Sequence, residues 1–132
     1  MASRIAALNH YRPMIDYRET ADWQQVAEYI AMRTGLNRSE IIMVLTELHD
    51  AILFYNGQGQ GVKLEGLGTY LPNINYQGEF DVAYRMDSQL KRALNAGNFS
   101  GRIRNQQHIG KRLEEIIALW NREHPDDPVE PR

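Results

Sequence analysis

The chain has no cysteine, so disulfides and thiolate metal sites are excluded, and a reducing cytoplasm is compatible. No apolar run approaches the ~18 residues a membrane span needs. Met1-Ala2-Ser3-Arg4 opens without the apolar core of a signal peptide, so export is not expected. The four histidines, His10, His49, His108 and His124, are dispersed without a His-x-x-x-His pair, and no metal or other cofactor is expected. A Gly-x-Ser-x-Gly elbow is missing too. Asp126 and Asp127 stand in a proline-flanked tail, without the buried surroundings that tune general acids. The sequence therefore reads as a non-enzyme with no small-molecule substrate. A surplus of positive charge is also lacking: 15 Lys and Arg against 17 Asp and Glu give a net −2. That balance argues against a uniform coat for nucleic acid, because counterion release rewards cations on phosphate.

What is present fits one ordinary domain of 132 residues, 42% hydrophobic and 24% charged. The charge is unevenly spread. Residues 1–84 carry 6 basic and 10 acidic groups, residues 85–112 carry 7 and 1, and residues 113–132 carry 2 and 6. The basic segment supplies Arg85, Lys91, Arg92, Arg102, Arg104, Lys111 and Arg112. Such a run is either a solvated face or a phosphate-binding surface, and phosphate contacts of this kind position DNA without reading its sequence.

Residues 1–20 hold three arginines and Pro13 and predict an extended arm with a short N-terminal turn. The arm either packs locally or sends Arg4, Arg12 and Arg18 to phosphate. Thr20 or Asp22 caps a helix whose apolar face is Trp23, Val26, Ala27, Ile30 and Ala31, and Gly35 ends it. Asn37 and Glu40 form a capping-box pattern for a second helix starting near Ser39. In that helix Ile41, Leu45, Leu48, Ile52 and Tyr55 recur at helical spacing, while Ile42, Val44 and Phe54 widen the apolar surface. It is too apolar all round for a major-groove recognition helix and suits a dimer core. Gly57, Gly59 and Gly61 follow a helix and precede a strand, the wrong order for a phosphate cradle, so they predict a turn.

Val62, Leu64 and Leu67 alternate with Lys63 and Glu65, and Gly66 and Gly68 suit a bulged corner. A strand over Thr69–Ile74 places Pro72 at an edge. After Asn75-Tyr76-Gln77-Gly78 the alternation resumes with Phe80, Val82, Tyr84 and Met86. Asp87 caps a short helix with Leu90, Ala93 and Leu94 inward, and Gly97 ends it. Phe99–Asn105 reads as a strand or strap with its arginines outward. Asn105 or Gln106 opens a last helix striped by Ile109, Leu113, Ile116, Ile117 and Trp120. His124-Pro125 stops that helix, and a solvated acidic tail follows.

The helix from Ser39, the glycine turn and the Gly66-Leu67-Gly68-Thr69-Tyr70 corner resemble the HU and integration host factor family of bacterial DNA-binding proteins. The likeness covers roughly Asp22 to Leu94, with Leu67 where the family usually has Phe and Met86-Asp87 where it usually has Pro-Gly. It implies an α+β fold with two N-terminal helices, a three-stranded antiparallel sheet and an intertwined homodimer. The expected interface is Ile41, Leu45, Leu48, Ile52 and Tyr55. The family's long basic ribbon is missing, since four turn residues cannot reach into a minor groove. The expected organisation is an arm over 1–20, an HU-like domain over 21–97, a strap and C-terminal helix packed on it over 98–124, and a tail over 125–132. The resemblance implies a cytoplasmic, nucleoid-associated homodimer on double-stranded DNA, contacting phosphate through the seven basic residues. The alternative is a dimerisation and protein-interaction scaffold.

Overall fold

A computed structural model describes residues 1–129, so the end of the expected acidic tail lies outside the described residues. The chain divides into a unit of residues 19–99 and a unit made of residues 1–18 with 100–132.

In the first unit, helix α2 (Trp23–Thr34) begins because Asp22 accepts from the Gln25 N–H at 3.0 Å while the Gln25 amide oxygen accepts from the Asp22 N–H at 3.2 Å. It ends at Gly35, whose φ of +75° is a left-handed cap that a residue with a Cβ resists. Helix α3 (Arg38–Asn56) is capped by Asn37, which accepts from the Ser39 N–H at 2.8 Å; the expected return bond from Glu40 is not formed among the described residues. Ile41 is buried, with Leu45, Leu48 and Ile52 half-buried along the same stripe. At the helix exit, the buried Asn56 donates to the carbonyls of Gln60 and Tyr70, which ties the glycine turn to the sheet.

The sheet is antiparallel with order β2 (Val62–Leu64), β3 (Gly68–Ile74), β4 (Phe80–Met86). The corner turns at Gly66 with φ +80°, and a Cβ on Gly68 would stand 2.6 Å from the Arg85 carbonyl oxygen, so both glycines are required. Pro72 lies on the middle strand, yet β2 pairs with β3 only as far as Tyr70. Beyond Tyr70 one side of β3 is an open edge, where a missing N–H is tolerated. Between β3 and β4 the Asn75 carboxamide oxygen accepts from Gln77 and Glu79 N–H groups at 2.9 Å each, closing a tight turn with no arm. Helix α4 (Ser88–Ala93) starts under Asp87, and a wide last turn ends at Gly97 with φ +88°.

The second unit departs most from what the sequence predicts. Residues 4–11, expected within an extended arm, form helix α1 (Arg4–Tyr11), because Ser3 accepts from the Ala6 N–H at 3.0 Å and Pro13 falls beyond the helix end. Strand β1 (Met14–Asp16) pairs antiparallel with β5 (Arg102–Arg104). The last helix does not open at Asn105: α5 (Leu113–Glu123) starts eight residues later, because Asn105 (φ +59°) and Gly110 (φ +85°) interrupt the chain with left-handed residues. Pro125, Asp126 and Asp127 are exposed as expected of a solvated tail, but the segment is tied back to the unit and Val129 is buried. Trp120 donates to the Asp127 carbonyl at 2.7 Å, Asn121 accepts from the Val129 N–H at 2.7 Å, and Val129 bridges Ala2 in parallel. Ala2, Ala7, Tyr11, Ile116, Leu119, Trp120 and Val129 close a core. The strap and last helix thus share this core with the N-terminal segment.

Candidate nucleic-acid interface

Within residues 19–99, the register Lys63↔Thr69↔Arg85 sets a lysine and an arginine in one row across the sheet. Alternation puts both on the face opposite Val62 and Leu64, which are the half-buried members of β2. Lys63 is not among the seven basic candidates; its place between two apolar neighbours is visible in sequence, but its distance from Arg85 depends on strand register. Lys91 and Arg92 occupy the last turn of α4, where cations offset the helix dipole. Asp87 accepts from the Gln89 and Gly66 N–H groups at 2.9 and 3.1 Å. Those two bonds hold its carboxyl below the usual carboxylate range, with Lys63 and Arg92 adding to the effect. The carboxylate therefore staples the glycine corner to the start of α4 and stays ionised among the cations.

The other four basic candidates belong to the second unit. Arg102 and Arg104 lie on β5, Arg102 opposite Asp16 and Arg104 opposite Met14, and both are exposed. Lys111 follows the Gly110 turn. Arg112 is engaged with Glu115 at 3.1 Å. The seven candidates are thus split between two bodies, three in one and four in the other.

The five expected interface residues also divide. Ile41, Leu45, Leu48 and Ile52 are buried or half-buried within their own chain, and Tyr55 is exposed. The uncovered apolar surface of α3 is Met43, Val44, Leu53, Phe54 and Tyr55. On the sheet, Tyr70↔Tyr84, Pro72↔Val82 and Ile74↔Phe80 stack apolar pairs on one face, and on β4 Phe80 is 81% and Tyr84 53% exposed. Apolar grooves open on this unit. One of about 510 Å³ runs along Ile30, Leu36, Ile41, Met43 and Val44, and another of about 330 Å³ lies between Leu53, Pro72, Phe80 and Val82.

In the second unit, three histidines far apart in sequence gather around two aromatics. His124 stacks on Trp120 at 3.8 Å, and His10 sets its edge to both. His108 meets Tyr11 at 5.1 Å. Tyr11, 4% exposed, donates to Glu123 at 2.6 Å; burial, then the bond to that carboxylate, pushes its phenol up to about 12. Among the described residues no group of His, Asp and Glu is placed to hold a metal ion, and no helix is long and apolar enough to cross a membrane.

Residues 6–101 match the family model HU-HIG, described as an HU domain fused to wHTH, Ig or a glycine-rich motif. Among solved structures, a mutant HU from Thermotoga maritima is 12% identical with a TM-score of 0.48, covering 56% of this chain and 99% of that one. An HU–DNA cocrystal structure from Anabaena is 14% identical with a TM-score of 0.47, covering 58% of this chain and 99% of that one. No curated protein matches the sequence.

Proposed function

The chain belongs to the HU-HIG family, and from that membership we propose that it is a nucleoid-associated DNA-binding protein, working as a homodimer that contacts double-stranded DNA through phosphate. The observation that carries the dimer is the uncovered apolar surface of residues 19–99, above all the Phe80–Met86 face and the grooves beside α3. The chain exposes 10957 Å². Two separate compact bodies of the units' sizes would together expose roughly 8,600 Å² by the scaling of surface with mass. The surplus is of the order that an obligate dimer buries.

Phosphate contact is supported by exposed cations free of ion pairs among the described residues, namely Arg85, Lys91, Arg92, Arg102, Arg104 and Lys111. The short Asn75–Gly78 turn leaves no minor-groove arm, so the protein positions on DNA without wedge-driven kinking. One observation favours a second reading. Residues 19–99 carry 6 basic and 10 acidic groups, a balance that suits a dimerisation scaffold for a protein partner. Titration of a duplex at several salt concentrations separates the two. DNA binding through phosphate gives a log–log slope of about −0.9 per neutralised phosphate, while a slope near zero selects the scaffold.

A further inference from the structure

We propose that the β1–β5 ribbon is a duplex-binding element in its own right, in which Arg12 and Arg18 join Arg102 and Arg104 in holding DNA phosphates. The inference rests on the DNA-binding reading above and names where much of the phosphate grip resides.

Charge is the first ground. The HU-like residues 19–99 are acidic on balance, whereas residues 1–18 with 100–132 carry 9 basic and 7 acidic groups. Within this second unit three of the seven acids are engaged away from the ribbon. Glu115 pairs with Arg112, Asp127 lies 3.5 Å from the N-terminal ammonium, and Glu123 accepts from Tyr11. None of the four ribbon arginines has an ion-pair partner among the described residues.

Geometry is the second. Ninety residues separate Arg12 from Arg102 in sequence, yet the pairing Met14↔Arg104 and Asp16↔Arg102 brings the two segments side by side. Alternation sets Met14, Asp16, Arg102 and Arg104 on one face and Ile15 with Ile103 on the other. Asn105, held in the left-handed region, donates to the carbonyls of His10 and Arg12 at 3.1 and 3.0 Å. That clip fixes the backbone of Arg12 beside Arg104. Arg18 lies two residues past Asp16, the single acid on the ribbon. A two-stranded ribbon is of a width the DNA major groove admits, and arginine forks bind phosphate oxygens in pairs.

The test uses the full chain and a duplex of mixed sequence, titrated between about 50 and 200 mM salt. Changing Arg12, Arg18, Arg102 and Arg104 together to Ala is expected to flatten the slope by about 0.9 for each phosphate no longer neutralised, while the fourfold change to Lys keeps it. Lys91→Ala with Arg92→Ala serves as the reference in the other unit. If the fourfold Ala variant keeps the wild-type slope while the reference lowers it, the ribbon is excluded and DNA binding stands. A flat wild-type slope overturns both. Should the Ala variant lose its Trp120 near-ultraviolet signal, arginine modification of the wild type decides. With DNA, protection of Arg12, Arg18, Arg102 and Arg104 against phenylglyoxal is expected, with Arg33 still modified. Protection of Arg85 and Arg92 without the ribbon arginines overturns the inference.

Discussion

The two units of this chain solve the burial problem in opposite ways. Residues 1–18 and 100–129 close a core around Tyr11 and Trp120, with aromatic side chains at 4% and 9% exposure. Residues 19–99 form regular, well-capped elements, yet leave Trp23, Met43, Phe54, Phe80 and Tyr84 open. Capping does not explain the difference, since α2, α3 and α4 all have side-chain N-caps while α5 has none. What differs is whether the apolar faces meet within one chain, so good caps and tight turns do not by themselves make a self-sufficient fold.

The sharpest way to break this contrast is Val82→Asp. A carboxylate on the open face of β4 is expected to abolish the proposed dimer, read by sedimentation equilibrium, and to remove the concentration dependence of the melting temperature. A wild-type protein that sediments as a monomer would erase the contrast altogether. Next comes Trp120→Ala, expected to cost about 3–5 kcal/mol in chemical denaturation by emptying the closed core, with the dimer preserved. Tyr11→Phe is expected to cost about 1.5–3 kcal/mol, since it removes the hydrogen bond of a buried phenol to a charged carboxylate. The same residue carries a pH signature. Its folded pKa of about 12 lies above the ordinary 10.0, so its contribution to stability is complete below pH 10 and is lost as pH rises towards 12. Ultraviolet titration of the phenol checks this directly. The smallest effect is expected at Asp87, an exposed group with a lowered pKa. Its contribution is complete above the ordinary carboxylate range and fades as pH falls through the lowered value, which the Gly66 amide resonance reports.

Features governed by neighbours in sequence are legible without the structure. Asp22, Gly35, Asn37, Asp87 and Gly97 terminate helices where their chemistry says they should, and the Gly66–Gly68 corner and the alternation from Phe80 to Met86 give the sheet. Long-range pairing is not legible. Nothing in Met14-Ile15-Asp16 announces a partner at Arg102–Arg104, and without that partner residues 1–18 read as a loose arm. The sequence puts the last helix too early because the apolar spacing of Ile109 and Leu113 outweighs Gly110, whose positive φ decides the matter. Composition nominates the seven basic residues, but their division between two bodies follows from topology alone. Lys63 and its row with Arg85 emerge only once strand register is known.

The discontinuous unit also has a consequence for biosynthesis. Tyr11 and Glu123, joined by one hydrogen bond, are 112 positions apart in the chain. At about 5–20 residues per second on a ribosome, α1 emerges roughly 5–20 s before the helix that covers it exists. During that interval the whole HU-like body is translated, while the first helix waits with its apolar side bare. The closing of that core therefore follows translation of the HU-like body and cannot precede it.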